Sequence, residues 1–422
     1  MLSALPLGRD IVTGQHVFRI QPELRFRHAY VIGRTGAGKS TLLHNFLQWD
    51  SEGSHALILF DAGDLATALL ETLREEALQR VHFFSADHPI AYNPLLRRLS
   101  EPGRLENELG ALIDQVVAES SATGVLSARM KRVLSAGIRG VLTYPKPTLA
   151  TLTTYLLEQR TEIRKRLELR DDEFTIAFEG LIDRLSQFLR DARVRRILCT
   201  KHELDFDAII DNGDILIVSL AGLEKPLVRF LGTVLFHGLS SVVMERPTWA
   251  RKDVSIVIDE FQDYLGSVYS LANFQMLFAQ GRRHKVSLTV AHQDFGTIDP
   301  RLLHTIHANA AATISFSCGP NESKKMSEIF GAKYPRETVG FLPDHQAIAR
   351  IGESIRWFQT FPPPVKIRDI IPDEGLISHE NDPPDPLEEF ANRKAERDVY
   401  RDTRKPRKAH DRSVFEGNVT NW

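Results

Sequence analysis

The sequence predicts an α/β protein: a mostly parallel sheet with helices on both faces, an inserted all-α domain and a charged, flexible C-terminal tail. Three observations carry that expectation. Short continuous apolar runs alternate with stretches of helical period, the pattern of a parallel sheet whose strands are buried on both faces. Across residues 99–200 the period is helical throughout, with no convincing strand. After Pro362-Pro363-Pro364 the apolar residues thin out and charged ones accumulate.

Residues 1–27 read as a β-rich lead-in, with Gly8 and Gly14 as turn positions. The core is expected in two pieces, 28–98 and 201–365. In the first, the apolar stretch 28–32 leads into a glycine loop and then into Leu42, Leu43, Phe46 and Leu47, one face of a helix. The run Ala56-Leu57-Ile58-Leu59-Phe60, ending in Asp61, reads as a buried strand, and 81–84 as a shorter one, before Asn93-Pro94-Leu95 breaks the pattern. The insertion, 99–200, carries helical stripes: Leu105, Leu109, Leu112, Ile113, Val116 and Val117; then Met130, Val133, Leu134, Ile138, Val141 and Leu142; then Phe178, Leu181, Ile182, Leu185 and Leu189. In the second piece strands are expected at 214–219, 254–259, 286–291 and 313–317, with helices at 227–244, 268–279 and 302–307 between them. A hairpin about Gly352-Glu353 joins 346–351 to 354–360. The tail, 366–422, is acidic first and basic later, which is the composition of a solvated, mobile segment.

With 422 residues, about two to three domains are expected. The 53 Lys and Arg against 55 Asp and Glu leave a net charge of −2. The chain is therefore no polycation, and any nucleic-acid contact must come from a local basic surface. Arg193, Arg195 and Arg196 are a candidate cluster, although a solvated helix face is the commoner explanation. The two cysteines, Cys199 and Cys318, support neither a disulfide framework nor a zinc site, and a reducing, cytoplasmic setting is the default. His304 and His307 would share a helix face, but no carboxylate or cysteine stands at ligand spacing from them. No apolar run is long enough for a membrane span, and the N-terminus lacks the order of a signal peptide.

The chemistry is concentrated in four places. Gly33-Arg34-Thr35-Gly36-Ala37-Gly38-Lys39-Ser40-Thr41 matches G-x-x-x-x-G-K-[ST] between a strand and a helix. Glycines let successive backbone N–H groups turn inward on phosphates, and the helix N-terminus adds positive potential there. Lys39 would reach the β- and γ-phosphates, and the Ser40 hydroxyl would ligate Mg2+. The apolar run Ile256-Val257-Ile258 ends in Asp259 and Glu260, which places two carboxylates at the sheet edge. Asp259 would hold Mg2+, and Glu260 would orient and deprotonate the attacking water. The strand at 286–291 ends in His292-Gln293-Asp294, where Gln293 fits a γ-phosphate sensor, and strand alternation turns His292 the other way. A structural turn is the competing reading. Arg282 and Arg283 close a helix, where cations suit the C-terminal dipole; either would also serve as a finger on a neighbouring subunit's γ-phosphate. No Asn-Lys-x-Asp-like guanine reader follows, so ATP is favoured over GTP.

Together these segments resemble the HerA/FtsK superfamily, and within it the soluble relatives of type IV secretion coupling proteins, the conjugative DNA-transfer ATPases. The residues that carry the resemblance are Arg27 to Gly33 leading into the loop, Asn93-Pro94-Leu95, Phe206 to Leu220, Val257 to Gln262 (VIDEFQ) and Gly281 to Gln293 (GRRHKVSLTVAHQ), within a span of about residues 5–365. The resemblance implies a RecA-like ASCE P-loop core, an inserted helical domain at one mouth of a hexameric ring, ATP at subunit interfaces and DNA threaded through the pore. It implies that Lys39 and Ser40 bind ATP-Mg2+, that Asp259 and Glu260 form the acidic pair, that Gln293 is the sensor and that Arg282 or Arg283 acts in trans. Two departures stand out. Asp61-Ala62-Gly63-Asp64 replaces the Asp-Pro-x-Gly-Asp of many relatives, and the N-terminal spans of membrane-bound coupling proteins are missing. A secretion or assembly ATPase moving protein, or a nucleotide-binding switch with little turnover, would share the same site.

Overall fold

A computed structural model describes residues 4–14, 17–96, 103, 105–110, 126–200, 203–265, 268–369 and 385–393. Among these, eleven strands form one sheet in the order β2-β1-β11-β10-β9-β3-β8-β7-β4-β6-β5. They are β1 (Leu5–Asp10), β2 (Val17–Ile20), β3 (His28–Ile32), β4 (Ala56–Asp61), β5 (Val81–Phe84), β6 (Ile215–Ser219), β7 (Val254–Ile258), β8 (Val286–His292), β9 (Ala310–Ser315), β10 (Gln346–Ile351) and β11 (Ser354–Thr360). From β9 to β5 every neighbour is parallel. Beyond β9 the sheet continues antiparallel through the predicted hairpin to β1 and β2. The parallel core is therefore as expected, while the lead-in is an extension of the same sheet.

Gly8 is a strand residue and not a turn. It sits in β1 beside a register shift, and a Cβ there would lie 2.0 Å from the Gln359 carbonyl oxygen. Only the glycine at 8 lets β11 approach so closely. The fourth expected strand begins earlier, at Ala310, because β3 and β10 supply partners for alanines that carry no strand signal of their own.

Alternation along the parallel strands sorts two cores. Ala29, Val31, Leu57, Leu59 and Val257 face the helices Lys39–Ser51 and Leu65–Thr72. Tyr30, Ile32, Ile58, Phe60 and Ile258 face the other way, towards the helix Lys225–Glu245 and the inserted helices. By length and composition alone, Lys225–Glu245 would cross a bilayer, but 83% of its most apolar window is buried inside the fold. It is a core helix.

The insertion contributes the helices Ala128–Val141, Leu149–Glu158, Arg160–Leu167, Asp171–Leu189 and Ala192–Leu198. The first starts where Ser127 accepts the Met130 N–H (3.2 Å), and the second has a capping box between Thr148 and Thr151. Phe188 packs at a tilt on Phe230 of the long core helix, ring centres 4.5 Å apart, so the insertion shares one core with the sheet. The part of the first predicted stripe beyond residue 110 lies outside the described residues.

Most of the charged tail also lies outside them. Its start runs along the helix Leu65–Thr72, with Lys366 paired to Glu71 (2.6 Å) and Arg368 donating to the Leu73 carbonyl (2.7 Å). Residues 386–393 form a helix, with Leu387 packed against the core and Arg393 3.6 Å from Glu158 of the insertion. Composition alone hides such a docked helix.

One polar knot pins the lead-in under the sheet. Arg25 is fully buried and donates to Ser287 (3.1 Å) and Thr289 (3.1 Å) of β8, to Ser255 (3.0 Å) of β7 and to Asp50. Asp50 closes the helix that follows the glycine loop and also accepts from Ser255 (2.7 Å). Burial by itself would raise the Asp50 carboxyl, but the Arg25 guanidinium outweighs it and the net direction is down. A depressed carboxyl contributes stability above its unfolded pKa, and that contribution is lost as pH falls. Arg25→Met should therefore cost about 3–5 kcal/mol in urea unfolding at pH 7, because it strands a buried charge, and the deficit should shrink in acid.

Candidate active site

Four parallel strands deliver the site to one edge. Ile32 stands opposite His292, Val290 opposite Ile258, and Ile258 opposite Phe60, so β3, β8, β7 and β4 end within two residues of one another at the same edge. Each then releases a polar residue: the glycine loop after β3, Gln293 after β8, Asp259 and Glu260 after β7, and Asp61 at the end of β4.

The loop turns on glycine geometry. Gly38 has φ 114°, a conformation closed to residues with a Cβ, and His345 and Phe316 press on it from behind. A Cβ at Gly33 would lie 2.6 Å from that of Phe316. The backbone is thus wedged between β9 and the His345 turn, and the helix Lys39–Ser51 begins at once. Arg34, Thr35 and Gly36 are exposed at the lip; Ala37, Gly38 and Lys39 are buried, and Ser40 and Thr41 open the helix. This is a cradle for a chain of phosphates.

The acidic pair splits in two directions. Glu260 adopts a left-handed backbone, φ 49°, which costs about 1 kcal/mol for a residue with a Cβ. That reversal separates the two carboxylates. Asp259 accepts from the Ser40 hydroxyl at 3.2 Å. Glu260 instead faces Lys39 (3.9 Å), accepts from Gln262 (2.7 Å) and accepts from Gln293, whose own oxygen accepts from Thr35 (2.6 Å). Lys39, Ser40, Asp259, Glu260, Gln293 and Thr35 therefore form one contiguous group. His292 turns away, buried, with its ring against Tyr30 and Phe261.

Burial, with repulsion from Glu260 and Asp61, pushes the Asp259 carboxyl up to about 6. Burial likewise lowers Lys39, while Glu260 and Asp259 oppose that shift. Buried carboxylates that repel one another beside a hydroxyl have the donor set and the electrostatic need for a divalent cation. The residues present fit Mg2+ and a triphosphate.

Sequence reasoning passed over several contributors. Asp61 is raised by burial and accepts from the Gly63 (3.0 Å) and Ala66 (2.9 Å) N–H groups. Its signal was present, since it ends a buried strand as Asp259 follows one. Gln262 was legible in the VIDEFQ segment, but its grip on Glu260 was not. His345, itself at φ 62°, carries no signal at all.

Arg282 and Arg283 are not brought into this group. They precede β8, at the opposite end of the strands, exposed on a cleft of about 610 Å3 that Arg27 and the end of the helix Pro300–Asn309 also line. Arg193 is spent on Asp191 (2.8 Å), and Arg195 on the Leu189 and Arg190 carbonyls (2.6 and 2.8 Å). His307 packs edge-on against Tyr30 at 5.1 Å, and burial pushes it down to about 4. Among the described residues no group of three or more His, Cys, Asp or Glu is placed to hold a metal ion by itself.

No protein-family model matches the chain, and no curated protein does. Solved structures do. The bacterial conjugative coupling protein TrwBdeltaN70 superposes with a TM-score of 0.67 at 14% identity, over 87% of this chain and 91% of that one. The fold is similar to that of a conjugative coupling protein. TrwB in complex with ADP and Mg2+ gives a TM-score of 0.64 at 14% identity, covering 83% and 88%. VirB4 of Thermoanaerobacter pseudethanolicus gives 0.65 at 14% identity, covering 86% and 97%. The likeness is one of fold, and the expected RecA-like P-loop core stands.

A raised Asp259 has a measurable consequence. In the unfolded chain this carboxyl ionises near 3.8; in the fold it does so near 6. Its burial costs nothing in strong acid, the cost grows as pH rises between those values, and it is complete above them. Asp259→Asn should stabilise the protein by about 2 kcal/mol at pH 8 and by almost nothing at pH 3.5, as read from urea midpoints.

Proposed function

We propose that the protein is an ATPase of the coupling-protein type that works in the cytoplasm as a ring of six copies and moves DNA through the ring. The observation that carries the ATPase reading is the hydrogen-bonded group in which Glu260 stands beside Lys39 and Gln293 at the mouth of the glycine loop. In this reading Glu260 takes the proton of the attacking water, and Gln293 and Gln262 hold its carboxylate in place. Lys39 offsets negative charge that develops on the transferred phosphoryl group. Ser40 and Asp259 would hold Mg2+, which when bound would neutralise phosphate charge. Thr35, joined to Gln293, ties the lip of the loop to the sensor position.

Arg282 and Arg283 lie at the sheet edge opposite their own Lys39, and this supports action on the nucleotide of a neighbouring copy, with Arg27 in the same cleft. DNA as cargo follows from the resemblance of the sequence to conjugative DNA-transfer ATPases, and a fold similar to that of a conjugative coupling protein supports it. The free thiols Cys199 and Cys318 accord with a reducing compartment.

ATP hydrolysis should rise several-fold with DNA, and the stimulation should fall steeply between 50 and 200 mM salt, conditions under which phosphate contacts weaken by about 1,000-fold or more. Glu260→Gln should keep ATP binding and slow turnover by about 100-fold or more, while Lys39→Ala should weaken binding itself. Turnover that ignores DNA but responds to a protein substrate would assign the motor to protein cargo. Unchanged turnover in Glu260→Gln would remove the ATPase assignment altogether.

A further inference from the structure

Trp249 is 88% exposed. It stands on a short turn, Thr248–Ala250, that leads into β7 at the sheet edge away from the glycine loop. The turn is rigid. The Ala250 N–H donates to the Pro247 carbonyl (2.9 Å), and the Arg246 guanidinium donates to the Ala250 carbonyl (3.2 Å). Arg246 is itself buried and paired with Asp207 and Asp211. A large ring held out by a braced turn loses little freedom when a partner covers it, which is the character of an interface anchor.

The turn is also joined to the arginine pair. Arg251 donates from Nη1 to the Arg283 carbonyl at 2.9 Å. Arg282, Arg283 and Trp249 therefore stand on the same edge of the sheet, with Arg251 joining their two segments. On the glycine-loop edge a second large apolar side chain stands out: Phe341 is 82% exposed. It follows Gly340, whose carbonyl accepts from the Ser317 hydroxyl (2.7 Å), and the Ser317 carbonyl accepts the Arg34 N–H (2.8 Å). Phe341 is thus attached to the lip of the phosphate cradle, on the edge of the sheet that also carries exposed Asp64, Asp294 and Asp344, with Arg34 and Arg336 as cations. One edge offers a tryptophan beside arginines; the other offers a phenylalanine beside carboxylates and the phosphate position. Two unlike, complementary faces on one chain make a head-to-tail contact.

We propose that Trp249 is the apolar anchor of the contact between copies: it packs on the glycine-loop edge of the next copy, beside Phe341, and thereby fixes Arg282 and Arg283 over that copy's nucleotide. This rests on the reading that these arginines act in trans.

The test uses the full chain. Mass photometry with ATP and Mg2+ should show that Trp249→Glu weakens assembly by at least ten-fold in dissociation constant, that Trp249→Phe restores it, and that monomeric Trp249→Glu still binds ATP and melts as the wild type does. Because Trp249 is exposed, the substitution should leave the fold unchanged. Assembly of Trp249→Glu at wild-type affinity would overturn the proposal, and so would full assembly with loss of DNA retention, which would assign the ring to nucleic-acid stacking. A mixing experiment separates this from the underlying reading. Lys39→Ala and the double variant Arg282→Ala/Arg283→Ala, each inactive alone, should regain turnover when mixed, because one copy's arginines serve the other's intact site. Recovery on mixing together with normal assembly of Trp249→Glu sinks the anchor and leaves the trans reading standing. No recovery, with a wild-type chain that stays monomeric, sinks both.

Discussion

The site depends on one constraint: β3, β8, β7 and β4 must be parallel and in a register that ends them within two residues of one another. A slip of one residue in any of them would turn its terminal polar group to the other face of the sheet. Ile32 opposite His292 and Ile258 opposite Val290 set that register, and Arg25 reinforces it from beneath by bonding β7 and β8 to the end of the loop helix. The lead-in, which holds no site residue, therefore contributes to the placement of Gln293 and Glu260.

The edge so made is electrostatically unfavourable as it stands. Asp61 and Asp259 are buried and both raised, Lys39 is partly desolvated, and Glu260 occupies a backbone conformation that residues with a Cβ avoid. Such conflict is tolerated because the surrounding sheet and helices overdetermine it. It also gives the site a preference, since a bound cation between Ser40 and Asp259 would offset the carboxylate repulsion. On the proposed function, stability and metal binding pull in opposite directions at Asp259.

The parallel strands were legible because strands buried on both faces read as apolar runs, and the loop, the acids and Gln293 were legible because each stands directly after such a run. The hairpin of β10 and β11 was legible from its alternation about Gly352. What escaped was what chain distance hides. Gly8 pairs with Thr360, so nothing near Gly8 told that it belongs to a strand. Arg25 reads as a surface residue until Asp50, Ser255, Ser287 and Thr289 are folded around it. The separation of Arg282 and Arg283 from Glu260 follows from strand direction, because residues that precede β8 and residues that follow β7 must lie at opposite edges.

The most direct test of the account is a structure with ADP, Mg2+ and a trifluoroberyllate in place of the terminal phosphoryl group. The account predicts the metal between the Ser40 hydroxyl and the Asp259 carboxylate, and the Glu260 carboxylate one water away from the beryllium with Gln293 still bonded to it. A metal held elsewhere, or a Glu260 carboxylate turned away from the fluoride with no water between them, would contradict it.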